Sequence, residues 1–282
     1  ILNNDQASWR STLEEARFNH YKHNNATALK VLEPLVKKME EWLNNGLFVE
    51  DAESVYYCFG STFESAYYCI MNKPLKVVRS PGGLPIADIY VEYGSLLIDL
   101  NRVPDAQIAL SKAYKWAPVS CSTAFEYAET FKMLGDIEHF YKLTLDIFKF
   151  AYTPEYLARC YRNAGFYFVE RKLWQEAMSC FLASKDYDKK SINAQSELYY
   201  INAETHGKVK EPGPNEFIAY SEMYGFPLGP DRDVIGIALA LGTQLKEQAK
   251  LDAARYFFNI AYDLTKDEGI LKTINQLPVV SN

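Results

Sequence analysis

The sequence predicts an all-α fold, a solenoid of stacked antiparallel helix pairs. Two observations carry that reading. One sparse pattern occurs twice. It reads Tyr90, Tyr93, Gly94, Leu97, Ala106, Leu110, Ala113 and Pro118 in residues 87–120, then Tyr161, Ala164, Gly165, Phe168, Ala177, Phe181 and Ser184 in residues 158–191. Large and small residues at fixed steps describe two packed helices that must stack on neighbours to bury their faces. The second observation is periodicity. Apolar residues recur at three and four, while sustained alternation, the strand signature, is nowhere seen.

The elements follow in order. Residues 5–22 read as a helix with Trp9, Leu13, Ala16 and His20 near one face. Residues 25–44 read as a second, with Leu29, Leu32, Leu35, Val36, Met39 and Leu43 apolar; Pro34 is expected to kink it or mark a restart. Residues 50–72 are expected to form a third helix, with Tyr56, Gly60, Phe63 and Tyr67 in repeat-like positions. The Pro- and Gly-rich stretch from Lys73-Pro74 to Pro85 cannot stay helical and is the candidate boundary. Two segments result: 1–85, helical with degenerate repeats, and 86–282, a repeat array. In the array the register continues through a degenerate unit at 121–154 to the clear one at 158–191. An interrupted fourth starts near Ile192, with an insertion at 206–230. A sharp last unit carries Ala238, Leu241, Gly242, Leu245, Ala254, Phe258 and Ala261, and a capping helix is expected near 268–276.

The small residues have a physical reason. Gly94, Gly165 and Gly242, with Ala106, Ala177 and Ala254 on the second helix, let paired helices approach closely. Leu97, Phe168 and Leu245 then fill the remaining gap. With 21 Tyr and 16 Phe, aromatic content reaches 15%, and at helical spacing these rings read as packing between helices. Net charge is −6 and no basic block is present, Lys37-Lys38 and Lys189-Lys190 being only doublets, so nucleic acid is not expected as a partner. No apolar run is long enough to span a membrane. The five cysteines are odd in number, lack Cys-x-x-Cys spacing and fall mostly in apolar stretches, which predicts reduced, buried thiols and a cytoplasmic setting. The chain opens on Ile1, so a removed leader stays open.

The run Tyr90/Tyr93/Gly94/Leu97/Ala106/Leu110/Ala113/Pro118 resembles a tetratricopeptide repeat, a helix–turn–helix unit of about 34 residues. The likeness covers residues 87–266, with a weaker extension toward residue 5. It implies a right-handed superhelical solenoid in which the first helix of each unit lines a concave face. On that reading the groove is acidic early, at Glu92, Glu126 and Glu129. Arg159, Arg162 and Asn163 supply hydrogen bonds, Phe125 and Phe166 are apolar anchors, and Tyr200 extends the wall. Such a groove suits an extended peptide or a helix of a protein partner. The alternative is that Glu126 and Glu129 pair with Arg159 and Arg162 between adjacent helices. The carboxylate clamp that some tetratricopeptide proteins use is not matched, because Val91, Ser95, Glu126, Arg159 and Asn163 hold its positions and Glu126 repels a carboxylate.

The function expected is a non-catalytic protein- or peptide-binding scaffold. Two rivals are a peptide-sensing regulator and an accessory subunit that guides substrate to an enzyme. Residues 1–72 lack the basic charge of a DNA-binding partner domain, and paired carboxylates, a Cys/His pair or a metal set are missing from the sequence pattern. His20 and His23 lack companions for a metal set and read as solvated. Ser80-Pro81-Gly82-Gly83 is not followed by Gly-Lys-Ser, so no phosphate cradle and no cofactor are expected. Residues 215–224 are expected as a short helix, with Tyr220, Met223, Tyr224 and Phe226 either packed between repeats or folded back as a lid.

Overall fold

Helices form where the three–four periodicity places them. The computed structural model describes residues 2–278, with side chains from residue 7 onward. It has two compact units, one ending at Asp136 and one beginning at Ile137. The outer ends of the two expected segments, residue 1 and residues 279–282, lie outside the described residues.

In the first unit, α1 (Leu2–Tyr21) and α2 (Asn25–Asn44) form an antiparallel pair, and α2 runs through Pro34 without a restart. A second pair, α4 (Ile86–Asp99) and α5 (Val103–Trp116), stacks on it, followed by α6 (Cys121–Met133). The break at 73–85 does not separate two cores. One buried cluster runs from Trp9, Leu13 and Ala16 through Leu32 and Met39 to Ile89, Tyr90 and Ala113. Each such large side chain contributes about 1.5–3 kcal/mol when fully buried.

The helix expected over residues 50–72 is corrected. Only α3 (Thr62–Asn72) is helical, and two short strands flank it, β1 (Ser54–Tyr56) and β2 (Val77–Arg79). They pair in parallel, Ser54 opposite Val77, so α3 is the crossover that a parallel pair requires. The local reasons are plain. The Ser61 hydroxyl accepts from the Glu64 amide (3.1 Å), and Glu64 reaches back to the Gly60 amide (2.7 Å), which starts a helix at Thr62 and no earlier. Upstream, Val55, Tyr56 and Tyr57 are β-branched or aromatic and fit a pleated surface.

The second unit holds α7 (Ile137–Phe148), α8 (Pro154–Glu170), α9 (Trp174–Tyr187), α10 (Ile192–Glu204), α11 (Pro214–Tyr224), α12 (Arg232–Glu247), α13 (Leu251–Thr265) and α14 (Glu268–Asn275). The pairs α8–α9 and α12–α13 are the close ones, and α14 closes on α13 with Ile274 and Leu277 against Ala254 and Phe258. Thr153 caps α8 through the Tyr156 amide, so this helix starts four residues before the repeat register.

The glycines sit where close approach demands them. A Cβ on Gly94 would stand 2.4 Å from Leu110 Cγ, and one on Gly165 would stand 2.8 Å from Phe181 Cζ. Gly242 meets Phe258 in the same way. Ala16, Ala28 and Leu32 repeat the spacing of Gly94, Ala106 and Leu110, and all are fully buried. The α1–α2 pair is therefore a unit of the same kind, with Ala in place of Gly.

A further period appears only in the backbone. Each pair turns through a residue in the left-handed region: His23 (φ 59°), Asn101 (60°), Lys172 (58°) and Ala249 (56°). The following amide closes the helix end, as Arg102 N–H does on the Leu97 carbonyl (2.8 Å) and Leu173 N–H on the Phe168 carbonyl (2.9 Å).

Candidate functional site

The face of α4 expected to bind a guest is already in use. Arg17 and His20 of α1 lie against it. His20 Nδ1 is 2.6 Å from Glu92 Oε1, and its Nε2 is 3.0 Å from Asp99 Oδ2. Arg17 reaches Glu92 (3.4 Å) and Asp88 (3.7 Å), and Asn25 Nδ2 adds a long contact to Asp99 (3.5 Å). An imidazole can donate from both ring nitrogens only as the cation. Burial alone pushes the His20 pKa down. Hydrogen bonds to Glu92 and Asp99, reinforced by their charges, outweigh it, and the net shift is upward from 6.5. Two expectations change. His20 is not a solvated histidine, because its side chain is 20% exposed between two carboxylates. Glu92 is spent inside the unit, at 12% exposure, because the neighbouring helix supplies the cations that its charge attracts.

On α6, Phe125 is 1% exposed and offers a guest no surface, which corrects its role as an anchor. Glu126 is half-buried, and Glu129 forms an ion pair with Lys132 one turn along the same helix.

On α8, Arg159, Arg162, Asn163 and Phe166 fall at i, i+3, i+4 and i+7, one face of a helix. All four are half-buried. Arg162 pairs with Asp188 at 3.3 Å, and burial pulls its guanidinium somewhat below the ordinary arginine pKa. Asn163 Nδ2 makes a long contact to Thr144 Oγ1 (3.5 Å), and the Phe166 ring meets Phe140 edge-on at 5.7 Å. On α10, Tyr200 is 46% exposed, its ring 6.4 Å from Trp174.

The insertion is packed and does not form a lid on this row. Its contacts fall on the opposite side of α8. Tyr161 donates to the Pro227 carbonyl (2.9 Å), and Phe168 packs on Tyr224 and Phe226. Tyr141 of α7 donates to the Tyr224 carbonyl (3.1 Å), and Phe226 is 1% exposed. Cys160 and Cys180 are buried, and burial holds both thiols well above their ordinary pKa, while Cys58 is pushed up to about 11. These thiols are poor nucleophiles at neutral pH. Among the described residues, no His, Cys, Asp and Glu side chains gather as a metal set, and no helix is long and apolar enough to cross a membrane.

No family model matches the chain, and no curated protein does. Solved structures do. The chain is similar to a structure described under functional characterisation of PilF of Pseudomonas aeruginosa, at 12% identity and a TM-score of 0.50, over 96% of this chain and 98% of that one. It also aligns with the Cut9–Hcn1 structure (14% identity, TM-score 0.41, 97% of this chain and 52% of that one). A third match is a tetratricopeptide repeat protein from Parabacteroides merdae (13% identity, TM-score 0.37, 86% and 96%). The fold is a tetratricopeptide-repeat-like fold. At such identities the likeness concerns architecture alone.

One feature lies outside the first-helix rows expected of a tetratricopeptide-repeat-like fold. A cleft of ≈ 550 Å³ opens within the second unit between the start of α8, the end of α9 and one face of α13. Sequence reasoning missed it because α13 is the second helix of its unit. Tyr256, Asn259, Ile260 and Asp263 share that face at helical spacing, but nothing in the sequence says that α13 stands opposite Glu155 and Asp186.

Proposed function

We propose that this protein is a non-catalytic scaffold that binds an extended segment or a helix of a partner protein along the face of α8. The observation that supports this most is the row Arg159, Arg162, Asn163 and Phe166. It sets two guanidinium groups, one amide and one ring on a single face, each partly exposed, while the opposite face is consumed by α9 and the insertion. Planar donors beside an aromatic ring suit peptide carbonyls and carboxylates together with one apolar side chain. Tyr200, of the same unit, remains a candidate for one end of a bound segment. Raised thiol pKa values and the packed insertion favour binding over covalent chemistry.

The test begins with peptides selected from a displayed library on the full chain. The dissociation constant of the best binder is then measured against wild type and R162A/N163A. We expect at least about tenfold weakening, the scale of one charged hydrogen bond lost. Full retention of binding by the double variant ends the assignment.

A further inference from the structure

We propose that the cleft between α8, α9 and α13 is a second docking site, for a lysine- or arginine-bearing extended segment of a partner protein. This goes beyond the α8 reading and does not depend on it. The cleft has the volume of a ligand site, where pockets run from about 300 to 1,000 Å³. Its walls divide by chemistry. Ile260 and Leu264 form a buried apolar floor, and Tyr187 and Tyr256 stand beside it, the latter 37% exposed. Around this floor lie three carboxylates, Glu155, Asp186 and Asp263, against one ammonium, Lys266.

That ammonium is not available to balance the rest. Lys266 bonds to Asp263 at 3.1 Å and lies over the Tyr262 ring at 5.0 Å. No ion pair among the described residues engages Glu155 or Asp186, and both are exposed on the rim. The lining therefore carries net negative charge over an apolar, tyrosine-walled floor.

A cationic side chain has an apolar stem and a charged head. Its stem can lie along a tyrosine face while the head meets a carboxylate, and the ring itself attracts the cation. An acidic or nucleic-acid guest meets like charge here. Alternating basic and apolar side chains in an extended chain point to opposite sides, so one set can reach the floor while the other reaches the rim.

The experiment uses the full chain and a labelled octapeptide that alternates Lys and Leu, with a Glu–Leu octapeptide as the charge-reversed probe. Binding is followed by fluorescence anisotropy at low ionic strength and again at about 0.5 M salt, where exposed pairs are screened. We expect the Lys–Leu peptide alone to bind, and salt to weaken it. In D186N/D263N the affinity should fall about threefold to tenfold, because exposed pairs to the probe are lost and Lys266 is released to repel it. The double variant E222Q/D252N removes two exposed charges of the same unit that do not line the cleft, and it should change affinity less than about twofold. All substituted carboxylates are exposed, so thermal melts should match wild type. Three results overturn the proposal: no binding of the Lys–Leu peptide, equal loss in both double variants, or self-association that D186N/D263N abolishes, which makes a second copy the occupant. R162A/N163A reports on the α8 row alone, so each reading can fail by itself.

Discussion

The α4–α5 pair and the α10–α11 segment show two ways of closing a repeat. In the first, Gly94 removes a side chain and Leu110 fills the space, so two regular helices meet along their length. In the second, α10 has no such partner. The chain leaves it, passes through the Pro-rich stretch before Pro214, and returns as α11 with Phe226 plugged against Phe168 and Phe217. Backbone carbonyls of Tyr224 and Pro227 accept from Tyr141 and Tyr161. Where the small-residue step is kept, shape alone closes the pair. Where it is lost, aromatic burial and hydrogen bonds to loop backbone take over. This irregular solution draws on three helices at once, α7, α8 and α9.

The largest effect should come from removing the plug. Phe226→Ala should destabilise the chain by about 3–5 kcal/mol, the usual cost of emptying a buried aromatic site. Urea unfolding followed by tyrosine fluorescence measures it. A loss under about 1 kcal/mol means that the insertion rests on the second unit without supporting it.

Gly94→Ala tests the regular pair. Alanine is the better helix former by about 1 kcal/mol. Even so, its Cβ would stand 2.4 Å from Leu110 Cγ, and we expect a net loss of about 1–3 kcal/mol from overpacking. Gly236→Ala provides the contrast within α12. That position is open, with nothing within 4 Å of an added Cβ, so a gain of up to about 1 kcal/mol is expected. If both substitutions raise the thermal midpoint, helix propensity outweighs close approach at Gly94.

The smallest effect should carry a pH signature. The α4 face is held by α1 as well as by α5, and His20 is the titrating part of that contact. Its folded pKa lies above 6.5, so the stability it contributes is fully present below 6.5 and is lost as pH rises through the raised value. Arg17, Asp88, Glu92, Asp99 and Asn25 surround it. Wild type should therefore melt at progressively lower temperature above neutral pH relative to His20→Gln. A constant difference between the two across pH 5–9 contradicts the bridged imidazolium.

Much of the fold is legible in the sequence. Ala16, Ala28 and Leu32 carry the spacing of Gly94, Ala106 and Leu110, yet they escape notice because alanine stands where the marker glycine is expected. The strands around α3 were hidden for a different reason. Three-residue strands are too short to show alternation, and their pairing depends on a crossover between residues far apart in the chain. The candidate row on α8 was readable as a helical face. The fates of Glu92 and Phe125 were not, since both depend on what stands opposite.

The clear helix pairs and the small residues that close them follow from local periodicity and from side-chain volume at fixed steps. Which polar faces stay open follows from tertiary contacts alone. Charge and exposure are settled between helices distant in sequence: Arg17 and His20 quench the acidic face of α4, while α13 stands across from Glu155 and Asp186 and leaves a cleft between them.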